Sequence, residues 1–207
     1  MAKKAIILDL DNTIYSVASI ADELFAVLFK MIISSGAHED NMQAIQHDLM
    51  RRPFQLVAAD HGFSATLMQS GIDLLKEMKY TGPIEAFADY AEVRTWPQDK
   101  FLVTTGFVNL QQSKIKGMGI EKDFKEIHIA DPLSNGKTKK DVFTDIIKRN
   151  AYHINEVIVV GDDLHSEIKA GQQLGIDTVL YDKFNVEKQQ VLVPKINDFK
   201  QLKDFIF

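Results

Sequence analysis

Ala5-Ile6-Ile7-Leu8-Asp9-Leu10-Asp11-Asn12-Thr13 opens the chain with an unbroken apolar run that stops at two aspartates separated by one leucine. A short apolar run without alternation is the pattern of a strand buried on both faces, as in a parallel sheet, and the polar residues after it mark where the strand leaves the core. Comparable runs recur at Phe101-Leu102-Val103-Thr104, Val157-Ile158-Val159-Val160 and Thr178-Val179-Leu180, with weaker ones at Ile127-His128-Ile129 and from Val193 to Ile196. Helical spacing lies between them, at Val142, Phe143, Ile146 and Ile147 and from Ile168 to Leu174. Strand alternating with helix predicts an α/β fold with a doubly wound parallel sheet.

From about Ser16 to Phe87 the strand pattern is replaced by helical spacing alone: Ile20, Leu24, Leu28, Met31 and Ile32, then Met42, Ile45 and Leu49, then Leu67, Leu75 and Met78. Breaks between helices are expected at Ser34-Ser35-Gly36, Arg52-Pro53, His61-Gly62 and Thr81-Gly82-Pro83. The predicted organisation is a core of residues 1–15 plus 88–207, with residues 16–87 inserted after the first strand as a helical module.

With 207 residues, 45% of them hydrophobic, the chain can bury a substantial core. A net charge of −5 offers no basic field for nucleic acid or an anionic membrane. The absence of cysteine excludes a disulfide framework, a thiol nucleophile and thiolate metal ligation, so any metal must sit on oxygen or imidazole. No apolar run approaches the roughly 20 residues of a membrane-spanning helix. Lys3-Lys4 is followed by only four apolar residues before Asp9, too few for an export signal, so a cytoplasmic location is expected.

In an open parallel sheet the ligand crevice lies at the carboxyl ends of the strands. There the sequence places Asp9 and Asp11, then Thr104 and Thr105, then Asp162 and Asp163, with a Gly136-Lys137 loop ahead of a helix. Converging carboxylates repel unless a cation screens them, and an all-oxygen set suits Mg2+. Such a cluster with one lysine and one hydroxyl is a receptor for a phosphoryl group, whose oxygens need several positive or donor partners during transfer.

The same residues, in the same order, resemble the four motifs of the haloacid dehalogenase superfamily: Asp9-Leu10-Asp11-Asn12-Thr13, Thr104, Lys137 and Gly161-Asp162-Asp163. The insert sits between the first two motifs, where members with a small helical cap carry it, and the resemblance implies a Rossmann-like core. It further implies that Asp9 is the nucleophile forming a transient aspartyl phosphate, Asp11 the acid and base, and Thr104 and Lys137 the groups that stabilise the phosphoryl oxygens. Mg2+ would be held by Asp9, the backbone carbonyl of Asp11 and Asp162, with Asp163 or Glu167 giving a further acidic contact. Lys137 is preferred over Lys139 and Lys140 because its interval to Phe143 is the usual one. Carbon–halogen and phosphonate hydrolases of the superfamily lack an acid at the place of Asp11, so the resemblance implies a phosphatase of a small phosphorylated metabolite.

Three alternatives stand beside that reading: a phosphomutase of the same superfamily, a non-catalytic phospho-ligand-binding or regulatory protein, and a receiver domain. The order of the acidic groups and the helical insert disagree with the last. Gly136-Lys137-Thr138 lacks the earlier glycine of a phosphate-binding loop, and Gly117-Met118-Gly119 reads as a helix end. His38, His47 and His61 show no zinc spacing. Arg51, Arg52 and Phe54 read as a solvated turn with one packed residue, and Trp96 as a buried anchor at the junction of the helical module and the core.

Overall fold

The computed structural model describes residues 2–37, 41–131, 133, 136–187 and 191–207. Among the described residues, six strands form one sheet: β1 (Ala5–Leu8), β2 (Asp99–Thr105), β3 (Glu126–Ala130), β4 (Val157–Gly161), β5 (Asp177–Tyr181) and β6 (Lys195–Ile196). Their order is β3-β2-β1-β4-β5-β6 with every pairing parallel, the doubly wound sheet that the alternating pattern predicts. Each predicted strand is present, and the two weak candidates are the two edges, where fewer neighbours demand fewer apolar residues.

Because successive side chains point to opposite faces, each central strand feeds two cores. Ile6 and Leu8 join Leu102, Ile158 and Val160 on one face, while Ala5 and Ile7 join Phe101, Val103, Val157 and Val159 on the other. Full burial of each of these side chains other than that of Ala5 contributes about 1.5–3 kcal/mol.

Among the described residues, the stretch 16–87 carries the α-helices α1 (Ala21–Leu24), α2 (Ala26–Ser34), α3 (Met42–Leu49), α4 (Phe54–Asp60) and α5 (Ala65–Glu77). α4 is too short to show a stripe in sequence, with Phe54, Val57 and Ala58 its only buried residues. The chain leaves the sheet and returns at one place: Tyr15 bridges antiparallel to Ala86, and the Phe87 N–H donates to the Ile14 carbonyl at 2.7 Å. The remaining helices are α6 (Tyr90–Arg94), α7 (Val108–Met118), α8 (Lys139–Arg149), α9 (Lys169–Gln173) and α10 (Lys203–Ile206). α8 covers the second face through Val142, Phe143 and Ile146, and the helices of the insert share the core of the first face. Among the described residues no helix is long and apolar enough to cross a membrane.

Candidate active site

Leu8 is in register with Leu102 on one side and with Val160 on the other, so β1 and β4 end side by side while β2 runs on to Thr105. The residues just beyond those ends are Asp9, whose N–H donates to the Val160 carbonyl at 3.1 Å, and Asp162; Thr104 lies near the end of β2. The strand order reverses at β1, which opens a crevice there. The crevice has a volume of about 820 Å³, and Asp9, Asp11, Thr104, Lys139 and Asp162 line its floor.

Lys139, the first residue of α8, reaches across the floor. Its Nζ lies 2.5 Å from Asp9 Oδ1 and 2.6 Å from Glu167 Oε2, with Lys139 only 7% exposed and Glu167 1%. The other Glu167 oxygen accepts the Asp163 N–H at 2.7 Å. Burial opposes the charge of Lys139, but Asp9 and Glu167 more than offset this and hold it above the ordinary lysine value. Asp9 is pushed up to about 7 by burial, with Lys139 pulling it down and the Glu167 carboxylate pushing it up. Burial, then Glu167 and Asp9, also push Asp162 well above the carboxylate range, although Arg51 lies 3.6 Å away.

Asp9, Asp162 and Glu167 each present a carboxylate oxygen, all within 4.8 Å of one another. Three carboxylates, two buried and that of Asp162 half-buried, facing Lys139 at the centre and Arg51 at the edge leave negative charge under-compensated. A hard cation with oxygen preference fits that donor set.

Asp11 belongs to a second network. Its Oδ1 accepts from the Tyr15 hydroxyl at 2.5 Å, and Lys114 Nζ lies 2.9 and 3.2 Å from its two oxygens. Gln111 Nε2 donates to Asp11 Oδ2 at 3.0 Å and to Thr104 Oγ1 at 2.7 Å. Burial alone would raise Asp11, but Lys114 and the hydrogen bonds from Tyr15 and Gln111 hold it below the usual carboxylate value.

Residues 3–175 match the family model of the haloacid dehalogenase-like hydrolases. The chain belongs to that family. Across 94% of its length it is 23% identical to the glyceraldehyde 3-phosphate phosphatase of Methanopyrus kandleri, covering 89% of that protein. Two solved haloacid dehalogenase-like hydrolases share its fold. One is from Streptococcus pneumoniae, with a TM-score of 0.74, 16% identity and 98% of each chain covered. The other is YfnB of Bacillus subtilis, solved bound to magnesium, with a TM-score of 0.67, 18% identity and coverage of 100% of this chain and 99% of that one.

In this haloacid dehalogenase-like hydrolase, Asp9, Asp11, Thr104 and Asp162 all reach the crevice, as does Glu167. Lys137 does not. Its side chain is 53% exposed and pairs with Asp145 at 2.9 Å, so Lys139 is the lysine at Asp9. The physical reason is helix phase. Thr138 is the N-cap, closed by a reciprocal bond with Asp141, which leaves Lys137 outside the helix. Lys139 begins the stripe continued by Val142, Phe143 and Ile146, and that spacing is the sequence signal for its burial. Asp163 stands apart from the three-carboxylate group, its side chain accepting the His165 N–H at 2.7 Å.

Gln111 and Lys114 were not legible as site residues, because nothing in a polar helix face announces a contact about a hundred residues away, and Tyr15, only four residues from Asp11, carries no spacing signal of its own. Phe54 is packed, while Arg51 and Arg52 both line the crevice; Arg52 also pairs with Asp60. His47 and His61 bond to Asp48, at 3.5 and 3.0 Å, and His38 lies outside the described residues. Trp96 is buried against Phe207, their ring centroids 6.1 Å apart.

Gly161 lies under Glu167: a Cβ there would stand 2.2 Å from Glu167 Oε1 and 2.4 Å from Cγ. Gly161→Ala is therefore expected to displace Glu167 from Lys139, lowering stability by about 1–3 kcal/mol. A thermal melt checks this, and an unchanged midpoint would show that Glu167 relaxes without cost.

Proposed function

We propose that the protein is a Mg2+-dependent phosphatase of small phosphorylated metabolites working through an aspartyl-phosphate intermediate. The observation that carries the reading is Lys139 held between Asp9 and Glu167 at the floor of a crevice that also holds the Thr104 hydroxyl. Likeness over nearly the whole chain to a glyceraldehyde 3-phosphate phosphatase supports the phosphate-ester class. The crevice volume, about 820 Å³, is within the range of small-molecule sites.

On this reading an Asp9 oxygen bonds to phosphorus as the ester P–O bond breaks, and the leaving oxygen takes a proton from Asp11. Water then attacks phosphorus, the P–O bond to Asp9 breaks, and the water's proton returns to Asp11. The clamp by Lys114, Tyr15 and Gln111 leaves Asp11 ionised in the free protein, which suits the water-activating half. A dianionic phosphoryl group arriving nearby raises Asp11 toward the protonated form that the first half needs. Lys139 and the Thr104 hydroxyl offset charge on the phosphoryl oxygens.

Asp9 and Asp162, with the Asp11 carbonyl, would hold Mg2+. Glu167 would contribute mainly by holding Lys139, and Asp163 by shaping the turn. When bound, the metal neutralises the carboxylates and the phosphoryl charge. Residues 16–87 are read as a cap over the crevice, because Arg51 lies near Asp162 and Asn12 Nδ2 donates to the Met50 carbonyl at 3.1 Å. A cap of this kind excludes bulk water and large phosphoproteins.

The test is phosphate release from a panel of phosphorylated metabolites and an aryl phosphate. Release is expected with Mg2+, at least a hundredfold less in EDTA, and full recovery on adding Mg2+ back. No release from any substrate with Mg2+ present would overturn the phosphatase reading. Isomerised sugar phosphate without free phosphate would point to a mutase.

A further inference from the structure

The Gln111 amide touches three acceptors through one nitrogen: Thr104 Oγ1 at 2.7 Å, Asp11 Oδ2 at 3.0 Å and the Thr105 carbonyl at 3.3 Å. A carboxylate and a carbonyl only accept, so the group that Gln111 turns toward them must be its NH2. The Thr104 hydroxyl faces the same NH2 and can meet it only as an acceptor. Its own proton must therefore point elsewhere, and no described residue accepts it. Thr104 is buried and lines the crevice floor.

Gln111 is held in that pose. It is buried on α7 one turn before Lys114, and both residues meet the same carboxylate. Gly106 makes room for it: φ is +150° there, and a Cβ would stand 3.2 Å from Gln111 Cδ and Cγ.

From this geometry we infer that Gln111 is a positioning residue that sets the direction of the Thr104 hydroxyl proton. By occupying the Thr104 oxygen from the α7 side, Gln111 leaves a single donor directed into the crevice, toward a phosphate oxygen. By bonding Asp11 with the same nitrogen, it ties the acid–base carboxylate to that donor. The inference rests on the phosphatase reading for the identity of the ligand, but the polarity of the Gln111 contacts does not depend on it.

A double-mutant cycle on inorganic phosphate binding, measured by titration calorimetry at fixed Mg2+, tests this without turnover. Thr104→Val and Gln111→Leu are each expected to weaken phosphate binding about tenfold, and the double variant also about tenfold. A packing role for Gln111 gives independent losses instead, multiplying to about a hundredfold. Gln111→Met serves as a second variant of similar volume should Gln111→Leu melt early.

Multiplicative losses, wild-type affinity in a folded Gln111 variant, or no phosphate binding by the wild type would each overturn the inference. Phosphate release by the wild type is followed alongside. Its absence beside a non-additive cycle counts against the phosphatase reading alone.

Discussion

Asp9→Asn is expected to lower phosphate release from an aryl phosphate by about 10⁴-fold or more while the melting temperature stays level or rises. The side chain keeps its shape, so the packing between β1 and β4 is retained. What changes is that the amide cannot attack phosphorus, and one of three carboxylates crowded within 4.8 Å loses its charge. Asp9 is already driven up to about 7 by burial, with the neighbouring carboxylates opposing Lys139, so neutralising it removes repulsion that the fold now carries. Lys139 keeps Glu167 as its partner at 2.6 Å. Loss of activity together with unchanged or greater stability is the signature of a group retained for chemistry. Turnover within tenfold of the wild type would show that Asp9 is not the nucleophile.

Lys139→Met and Lys137→Met, two residues apart, are expected to differ by at least about a hundredfold in activity. Lys139 holds Asp9 and Glu167 from a buried position, and its removal leaves both carboxylates without their lysine. Breaking a buried pair in this way costs about 3–5 kcal/mol. Asp9 then titrates upward and is less available as a nucleophile. Lys137 pairs with Asp145 on an exposed surface, where such a pair is worth about 0–1 kcal/mol. Lys137→Met should therefore fall within twofold of the wild type. If Lys139→Met fails to fold, the double variant Lys139→Met with Glu167→Gln removes a cation and an anion together. It is expected to fold and still show the loss. Equal effects at the two lysines would remove Lys139 from the mechanism.

The element order, the parallel sheet and the strand ends that bear polar groups were all set by sequence. A continuous apolar run of four or five residues has to be buried on both faces, and the residue that follows it must emerge at the strand's end. Chain continuity alone therefore delivers Asp9, Thr104 and Asp162 to one edge of the sheet. The lysine was a different matter. Its identity depended on where α8 begins, and the Thr138–Asp141 cap sets that start one residue ahead of Lys139, turning Lys137 outward.

The clamp on Asp11 was decided only by tertiary structure. Gln111 and Lys114 are 100 and 103 residues from Asp11 and meet it because α7 docks against the turn after β1. Local patterning determines which residues leave the core at a given place, because it follows from burial along one strand. Which long polar side chains then find one another is settled by how whole elements pack, and no spacing within a single segment records that.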